Sequence, residues 1–337
     1  MRAWEIVSDG GVDALALNDQ PMPEPRSGQI LVKVHASSVN YRDLSTIEDP
    51  VSRKLPYPTI PNSDAAGEVA AIGDGVDGVA VGDRVMSCFF QNWEAGPISS
   101  TAMASALGGT EPGVLAEYVL LSARGVVPVP EHLSWQEAAT LPCAALTAWH
   151  ALTQPRSVRP GETVLLLGTG GVSVFAQQFC RLMGARTIVT SSSDGKLERM
   201  QSLGAWETIN YKETVDWDSR VTELTDGVGA DRIVEVGGPG TLQKSINAVR
   251  VGGIIGLIGI LTGVEGAVSP TAIMRKSVTL RGIYVGSRQM FVDMNKAISL
   301  HGMKPVIDET FEFSDARAAY HQMRSAKHFG KLVISVG

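Results

Sequence analysis

Between Thr163 and Val285, short apolar runs alternate with longer stretches whose apolar residues recur at helical spacing. No other feature restricts the fold so strongly. TVLLL (163–167) reads as a buried strand. GVSVFAQQFCRLMGA (171–185) reads as a helix, with Val172, Phe175, Phe179 and Leu182 as its apolar residues. RTIVT is a second strand, and KLERMQSLGA is a helix closed by Gly204. ETIN, RIVEVGG and GGIIGLIGI continue the strands, TLQKSINAV is an intervening helix, and VTLRGIYV makes a sixth strand. Strands that alternate with helices pair in parallel. The fold class expected is therefore α/β, with a doubly wound parallel six-stranded sheet.

The chain before this region reads differently. QILVKVHASSV, AAGEVAAIG, GDRVMSCFF, AEYVLL and GVVPVP are short apolar stretches between turn signals, so residues 1 to about 130 are expected to be β-rich. Segment 91–113 is poor in charge and reads as a long loop. LPCAALTAWHAL (141–152) reads as a helix. After Val285, DMNKAISLHGM, VIDETFEF, ARAAYHQMRSAKH and KLVISV give a helix–strand–helix–strand set. With 337 residues the chain has the length of two domains. A net charge of −6 gives no electrostatic reason to bind nucleic acid or an anionic membrane. No run approaches the 18 apolar residues of a spanning helix, and MRAWEIVSDGG lacks the pattern of a signal peptide. Cys88, Cys143 and Cys180 are too few and too scattered for a disulfide framework. The expectation is a soluble, cytoplasmic protein.

The turn after the first strand of the alternating region carries the chemistry. It runs Gly168-Thr-Gly170-Gly171-Val172-Ser173 and opens a helix. The first glycine permits a tight turn, and the second lets backbone N–H groups approach a pyrophosphate at the helix N-terminus. Ser173 departs from the small apolar residue expected at the third position. A plain connector is the competing reading. In this strand–turn–helix context the motif predicts a Rossmann dinucleotide site. At the end of the second strand, where an NAD site carries an acid, the chain has Ser191-Ser192-Ser193-Asp194-Gly195-Lys196. Hydroxyls on Ser191 and Ser192 and the charge of Lys196 suit a 2′-phosphate, which favours NADP(H). Asp194 lies near enough to keep NADH open, and a serine acting only as a helix cap is the other reading.

With these motifs placed, the chain resembles the medium-chain dehydrogenase/reductase superfamily, in particular its zinc-independent, quinone oxidoreductase-like (zeta-crystallin-like) branch. The matching pieces are Asn40-Tyr41-Arg42-Asp43, Asp64-Ala-Ala-Gly67-Glu68-Val69, Gly82-Asp83-Arg84-Val85, Ala116-Glu117-Tyr118, Leu141-Pro142-Cys143, the glycine turn, Asn210-Tyr211 and His328-Phe329-Gly330-Lys331. The resemblance implies a GroES-like catalytic domain at 1–144, completed by 286–337, around a nucleotide domain at 145–285. It also implies a homodimer joined through the last strand of the nucleotide sheet, VTLRGIYV.

The resemblance bears on zinc as well. Zinc-dependent members place a Cys where this chain has Asn40 and a His-Glu pair where it has Ser63-Asp64, keeping the third ligand at Cys143. One soft ligand of three does not build a catalytic zinc site. The four cysteines of a structural zinc lobe are missing from 91–113. No metal is expected. Without a Lewis acid, hydride addition suits an acceptor that spreads negative charge, such as a quinone or an α,β-unsaturated carbonyl. A metal-free NADP-dependent alcohol dehydrogenase or aldehyde reductase is the alternative, and a non-catalytic nucleotide-binding protein a third reading.

By resemblance Asn40 lies near the nicotinamide and Tyr41 faces cofactor or substrate. Tyr41 is then a candidate proton donor and Arg42 a candidate for stabilising negative charge. The competing reading makes Arg42–Asp43 a structural ion pair. Thr147, four residues after Cys143, would share its helix face and contact the nicotinamide side. Gly237, Gly259 and Ile260 follow strand ends and would floor the pocket. Tyr211 (near the adenosine phosphate) and Lys331 are cofactor candidates by resemblance. Tyr57, Phe90 and Trp93 are candidates to line a pocket for a small-molecule substrate.

Overall fold

The computed structural model describes residues 1–337. The six strands after Thr163 form one sheet in the order Glu207–Asn210, Arg186–Ser191, Thr163–Leu167, Ala230–Glu235, Val249–Leu257, Thr279–Gly282, every neighbouring pair parallel. Thr163–Leu167 is buried at every position, as an interior strand covered on both faces must be. Leu165, Ile188, Ile233 and Ile255 fill the core with Trp217 from the Trp217–Leu224 helix.

The sixth strand is shorter than its apolar run. VTLRGIYV pairs over Thr279–Gly282; Ile283 N–H still reaches Leu257 O at 2.9 Å, and Val285 then adopts φ 52°. The helices Trp217–Leu224 and Pro270–Arg275 were not expected. Their burial is slight: the first buries Trp217, Asp218 and Val221, and the second buries nothing fully. Such helices leave little apolar periodicity to read.

The remaining chain forms the second unit, Met1–Leu146 with Gly286–Gly337; the nucleotide-type sheet belongs to Thr147–Val285. Its seven-stranded sheet runs Ile307–Glu312, Lys331–Ser335, Gln29–Val39, Asp64–Ile72, Arg84–Ser87, Val126–Pro128, with Tyr118–Ser122 also paired to Gln29–Val39. The C-terminal strand is thus inserted beside a strand from the first forty residues. The registers Leu332↔Val39 and Ser38↔Asp64 bring three strand ends together. Ile30, Val32, Val34, Val69, Tyr320 and Ile334 lie in the core of this unit.

Segment 91–113 is largely irregular, with one short helix at Ser100–Met103 and isolated bridges at Phe90↔Ala106 and Leu107↔Glu111. Phe90 and Trp93 are buried and pack edge to face, so Phe90 belongs to the core rather than to a pocket wall. No helix is long and apolar enough to cross a membrane.

Candidate functional site

In the Thr147–Val285 unit, Gly168 sits at φ 73°, a conformation that costs an L side chain a steric clash. A Cβ built on Gly168 or Gly170 meets no atom within 4 Å, so the space over this turn is open. The helix Gly171–Leu182 starts there, with Gly171 and Val172 in its first turn, where backbone N–H groups lack helical partners. Ser173 resolves its departure from the motif: its hydroxyl donates to Leu167 O at 2.6 Å and is buried against the strand. An open, donor-lined turn at a twelve-residue helix N-terminus fits a dinucleotide pyrophosphate.

The serine run differs in detail from expectation. Ser191 is the last strand residue, not the first after it, and is buried, its Oγ accepting from Ser193 N–H at 3.4 Å. Ser192 is the first residue beyond the strand and is half-buried. Ser193 occupies the N-cap position but makes no side-chain cap bond. Asp194 accepts from Asn210 Nδ2 at 2.8 Å, which draws its carboxylate toward the third strand. Lys196 follows in the first turns of the Asp194–Ser202 helix. Tyr211 is exposed, with its N–H bonded to Ser191 O at 3.0 Å.

Two loops at the carboxyl ends of the fourth and fifth strands are fastened to each other. Thr262 Oγ1 donates to Gly237 O and accepts from Gly240 N–H, both at 2.8 Å. Beneath them lies Glu235, fully buried. It accepts from Gly237 N–H at 2.8 Å, Gly238 N–H at 3.1 Å, Thr241 Oγ1 at 2.7 Å, and from the Ser245 hydroxyl. Motif reading did not single out this residue. Its signal was an acid directly after the apolar pair Ile233-Val234, at the carboxyl end of the strand. Gly259 is demanded by packing: a Cβ there would lie 1.9 Å from Val236 O. Ile260 is exposed.

In the Met1–Leu146 unit with its C-terminal part, Asn40 caps the Tyr41–Glu48 helix, and its N–H donates to Asp43 Oδ2 at 2.8 Å. Tyr41 is 44% exposed and available. Arg42 is drawn inward: Nη1 donates to Leu107 O at 2.8 Å and to Asp43 Oδ1 at 3.3 Å, and the guanidinium lies over Phe89. That geometry anchors a loop and leaves Arg42 poorly placed to offer charge outward. Burial pushes the Asp43 carboxyl up to about 6, with Arg42 opposing and Asp64 adding to the rise.

Lys331 is only 2% exposed, so it is not a surface lysine. Its ammonium donates to Val39 O at 2.9 Å and Asn40 Oδ1 at 2.6 Å, and lies 4.0 Å from Asp64 Oδ2. Asp64 also accepts from Ser38 Oγ at 3.0 Å and Ser63 Oγ at 2.7 Å. Asn40 Nδ2, buried, has no partner at all. Such a donor fits an acceptor oxygen on a bound group, since leaving it unmade costs about 1–3 kcal/mol.

Cys143 lies in a π-turn, Leu141–Ala145, ahead of the Leu146–Thr153 helix. The i→i+5 bonding of that turn breaks the α-helical register on which a shared face with Thr147 depended. Thr147 itself is buried. Burial, and secondarily the Asp64 carboxylate, push the Cys143 thiol up, although the residue keeps partial exposure. Cys143 with an amide at Asn40 and a hydroxyl at Ser63 offers one soft donor where a catalytic zinc takes three protein ligands. Nowhere do three His, Cys, Asp or Glu side chains converge as a metal would require.

An α/β nucleotide domain with an open glycine turn, joined in one chain to a β-rich domain that its own C-terminus completes, defines a dehydrogenase/reductase of the two-domain kind. Residues 26–131 match the alcohol dehydrogenase GroES-like domain, and residues 171–300 the zinc-binding dehydrogenase domain. A zinc-type alcohol dehydrogenase-like protein of Schizosaccharomyces pombe is 41% identical over 97% of this chain and 96% of its own length. The quinone oxidoreductase of Rattus norvegicus is 30% identical over 99% of this chain and 97% of its own. A mycobacterial protein solved in complex with NADPH superposes with a TM-score of 0.85 at 26% identity, covering 100% of both chains. The chain belongs to the medium-chain dehydrogenase/reductase superfamily of oxidoreductases.

Proposed function

We propose that this protein is an NADPH-dependent reductase that transfers hydride, without zinc, to a quinone or to the activated double bond of an α,β-unsaturated carbonyl. The observation that carries the reading is the set Asn40, Ser63 and Cys143, neutral groups packed around the Lys331 ammonium and the Asp64 carboxylate. A simple ketone becomes a localised alkoxide that needs a strong electrophile beside it. A quinone or enone becomes a delocalised anion for which hydrogen-bond donors suffice. The similarity to a quinone oxidoreductase and to a protein solved with NADPH supports the same reading.

In this reading the backbone from Gly168 to Val172 holds the pyrophosphate, and Ser191, Ser192 and Lys196 hold the 2′-phosphate, with Tyr211 beside the adenosine end. Gly237, Gly259 and Ile260, on the loops organised by Glu235, shape the nicotinamide end, and Thr147 supports it. The bound coenzyme supplies the hydride; a proton from Tyr41 or water completes the two-electron reduction. Asn40 Nδ2 is the donor to an acceptor oxygen. Arg42 acts as an anchor. The exposed edge strand Thr279–Gly282 is where two copies would join, giving a homodimer by light scattering.

Titration of NADPH and NADH by fluorescence, followed by turnover on quinones, enones, ketones and aldehydes, tests the proposal. Lys196→Ala is expected to weaken NADPH about tenfold or more and NADH less than twofold, since only the former carries the 2′-phosphate. Equal losses would remove the role given to Lys196. Rapid ketone or aldehyde reduction with no quinone or enone turnover would replace the reading with a metal-free alcohol dehydrogenase. NADPH binding without any turnover would leave a nucleotide-binding protein. Tyr41→Phe is expected to lower kcat about tenfold if the phenol delivers the proton; unchanged turnover assigns that proton to water.

A further inference from the structure

We propose that Lys331 is a positioning residue: a buried cation set between Val39, Asn40 and Asp64 that fixes the Asn40 amide with its NH2 group presented as the reactive donor. The inference rests on the reductase reading above and adds a residue and a mechanism to it.

Lys331 opens the C-terminal strand, and the register Leu332↔Val39 sets it beside the end of the Gln29–Val39 strand. The helix beginning at Tyr41 starts one residue later, so Asn40 is pinned between a strand end and a helix N-terminus. Its backbone N–H is already taken by Asp43 Oδ2. Its side chain has one oxygen and one NH2 group, which can exchange places by rotation about χ2. A neighbouring ammonium is a donor only, with no acceptor capacity. Lys331 Nζ at 2.6 Å therefore selects Oδ1 and rejects Nδ2, and the rejected group becomes the buried, unpartnered donor. The ammonium is itself held by Val39 O and faces the Asp64 carboxylate, which Ser38 and Ser63 orient. The bond to Oδ1 also draws electron density from the amide and strengthens Nδ2–H as a donor.

This arrangement differs from a metal site in kind. A divalent ion needs anionic or basic ligands around an open position. Here the positive charge arrives on a side chain, is hydrogen-bonded by the oxygens of Val39 and Asn40 with the Asp64 carboxylate 4.0 Å away, and acts on the acceptor through an amide. It would stabilise a delocalised anion by hydrogen bonding rather than by coordination.

A double-mutant cycle between Lys331→Met and Asn40→Ala tests the proposal, with kcat, KM and the NADPH dissociation constant measured for each variant. Lys331→Met is expected to lower kcat about thirtyfold while changing the NADPH dissociation constant less than threefold. Asn40→Ala should cost a similar factor. The double variant should be no slower than the worse single one, because both remove the same oriented donor. Losses that multiply, or full kcat in Lys331→Met, would overturn the proposal. Should Lys331→Met not fold, Lys331→Arg takes its place in the cycle, since its guanidinium keeps the charge but shifts the donor. The same non-additivity is expected there.

A second readout needs neither coenzyme nor turnover. In protein labelled with [15N]asparagine, the Asn40 side-chain NH2 pair is identified by its loss in Asn40→Ala. It should be a single sharp pair in the wild type, and shifted and exchange-broadened in Lys331→Met. A pair that does not respond to the lysine overturns the proposal even where the chain reduces a different class of acceptor. Absence of quinone and enone turnover, with the pair responding, sinks the reaction reading alone.

Discussion

Glu235→Leu is expected to destabilise the Thr147–Val285 unit by about 3–5 kcal/mol and to weaken NADPH binding with it. The carboxylate is fully buried, and four donors converge on it: the N–H groups of Gly237 and Gly238 and the hydroxyls of Thr241 and Ser245. Leucine fills most of the volume but accepts nothing. Each backbone N–H left dry costs about 1–3 kcal/mol, and neither glycine has another acceptor at hand. Thr241 is less exposed to the loss, because its hydroxyl also reaches Gly238 O at 3.3 Å. Glu235→Gln separates charge from geometry. Its carbonyl keeps one acceptor, but its NH2 faces hydroxyls that must rotate to receive it, and about 1–2 kcal/mol is expected. Hydrogen exchange over residues 230–262 is the measurement suited to a two-unit chain, since it reads the loop pair directly. Protection that falls in Glu235→Leu and mostly survives in Glu235→Gln is the expected pattern. Stability within 1 kcal/mol of wild type in the leucine variant would mean that the strand-end loops hold their shape by the Thr262 bonds alone.

The contrast between Glu235 and the glycine turn explains how far the residues could be read in advance. Strand, turn and helix at 163–182 are local: apolar period and glycine placement are written in consecutive positions. The expected Gln29–Val39 strand is likewise local, its apolar residues Ile30, Leu31, Val32, Val34, Ala36 and Val39 falling within eleven consecutive positions. What consecutive positions do not carry is long-range pairing. Lys331 and Asn40 meet through the register of two strands 291 residues apart, and nothing in either neighbourhood announces it. The same holds for Arg232, an arginine in the middle of a buried strand. It donates to Gln154 O at 2.8 Å and Arg156 O at 2.7 Å and ties the segment before the sheet to its centre. The misjudged ends have local causes of their own. The sixth strand stops at Gly282 and a left-handed Val285 follows, and a π-turn at Leu141–Ala145 shifts the helical register. Both are backbone irregularities that apolar periodicity passes over.

Asp43 gives a pH signature between pH 4 and pH 7. Burial raises its carboxyl from the ordinary 3.8 to about 6, although Arg42, the Asn40 N–H and Lys331 all pull the other way and Asp64 adds to the rise. The folded chain thus binds this proton more tightly than the unfolded chain does. Its contribution to stability is fully present below the unfolded value and is lost as pH rises through about 6. The displacement corresponds to about 3 kcal/mol. Asparagine at this position is uncharged at every pH and still offers an oxygen to the Asn40 N–H. The difference in unfolding free energy between Asp43→Asn and wild type should therefore move about 2 kcal/mol in favour of the variant between pH 4 and pH 7. Carboxylates held low by their partners, such as Glu117 and Glu162, lose stability on acidification, but they are common to both proteins and cancel. A difference that stays flat within 1 kcal/mol would mean that Arg42 fully compensates the buried charge. A carboxylate that weakens the fold at neutral pH calls for another reason to be there. Its position supplies one: Asp43 Oδ2 holds the backbone N–H of Asn40 while Lys331 holds its side-chain oxygen, so the two charges fix one residue from opposite ends. Asp43→Asn should accordingly gain stability relative to wild type as pH rises to 7 yet be slower in turnover, the pairing expected where stability is given up to orient a reacting group.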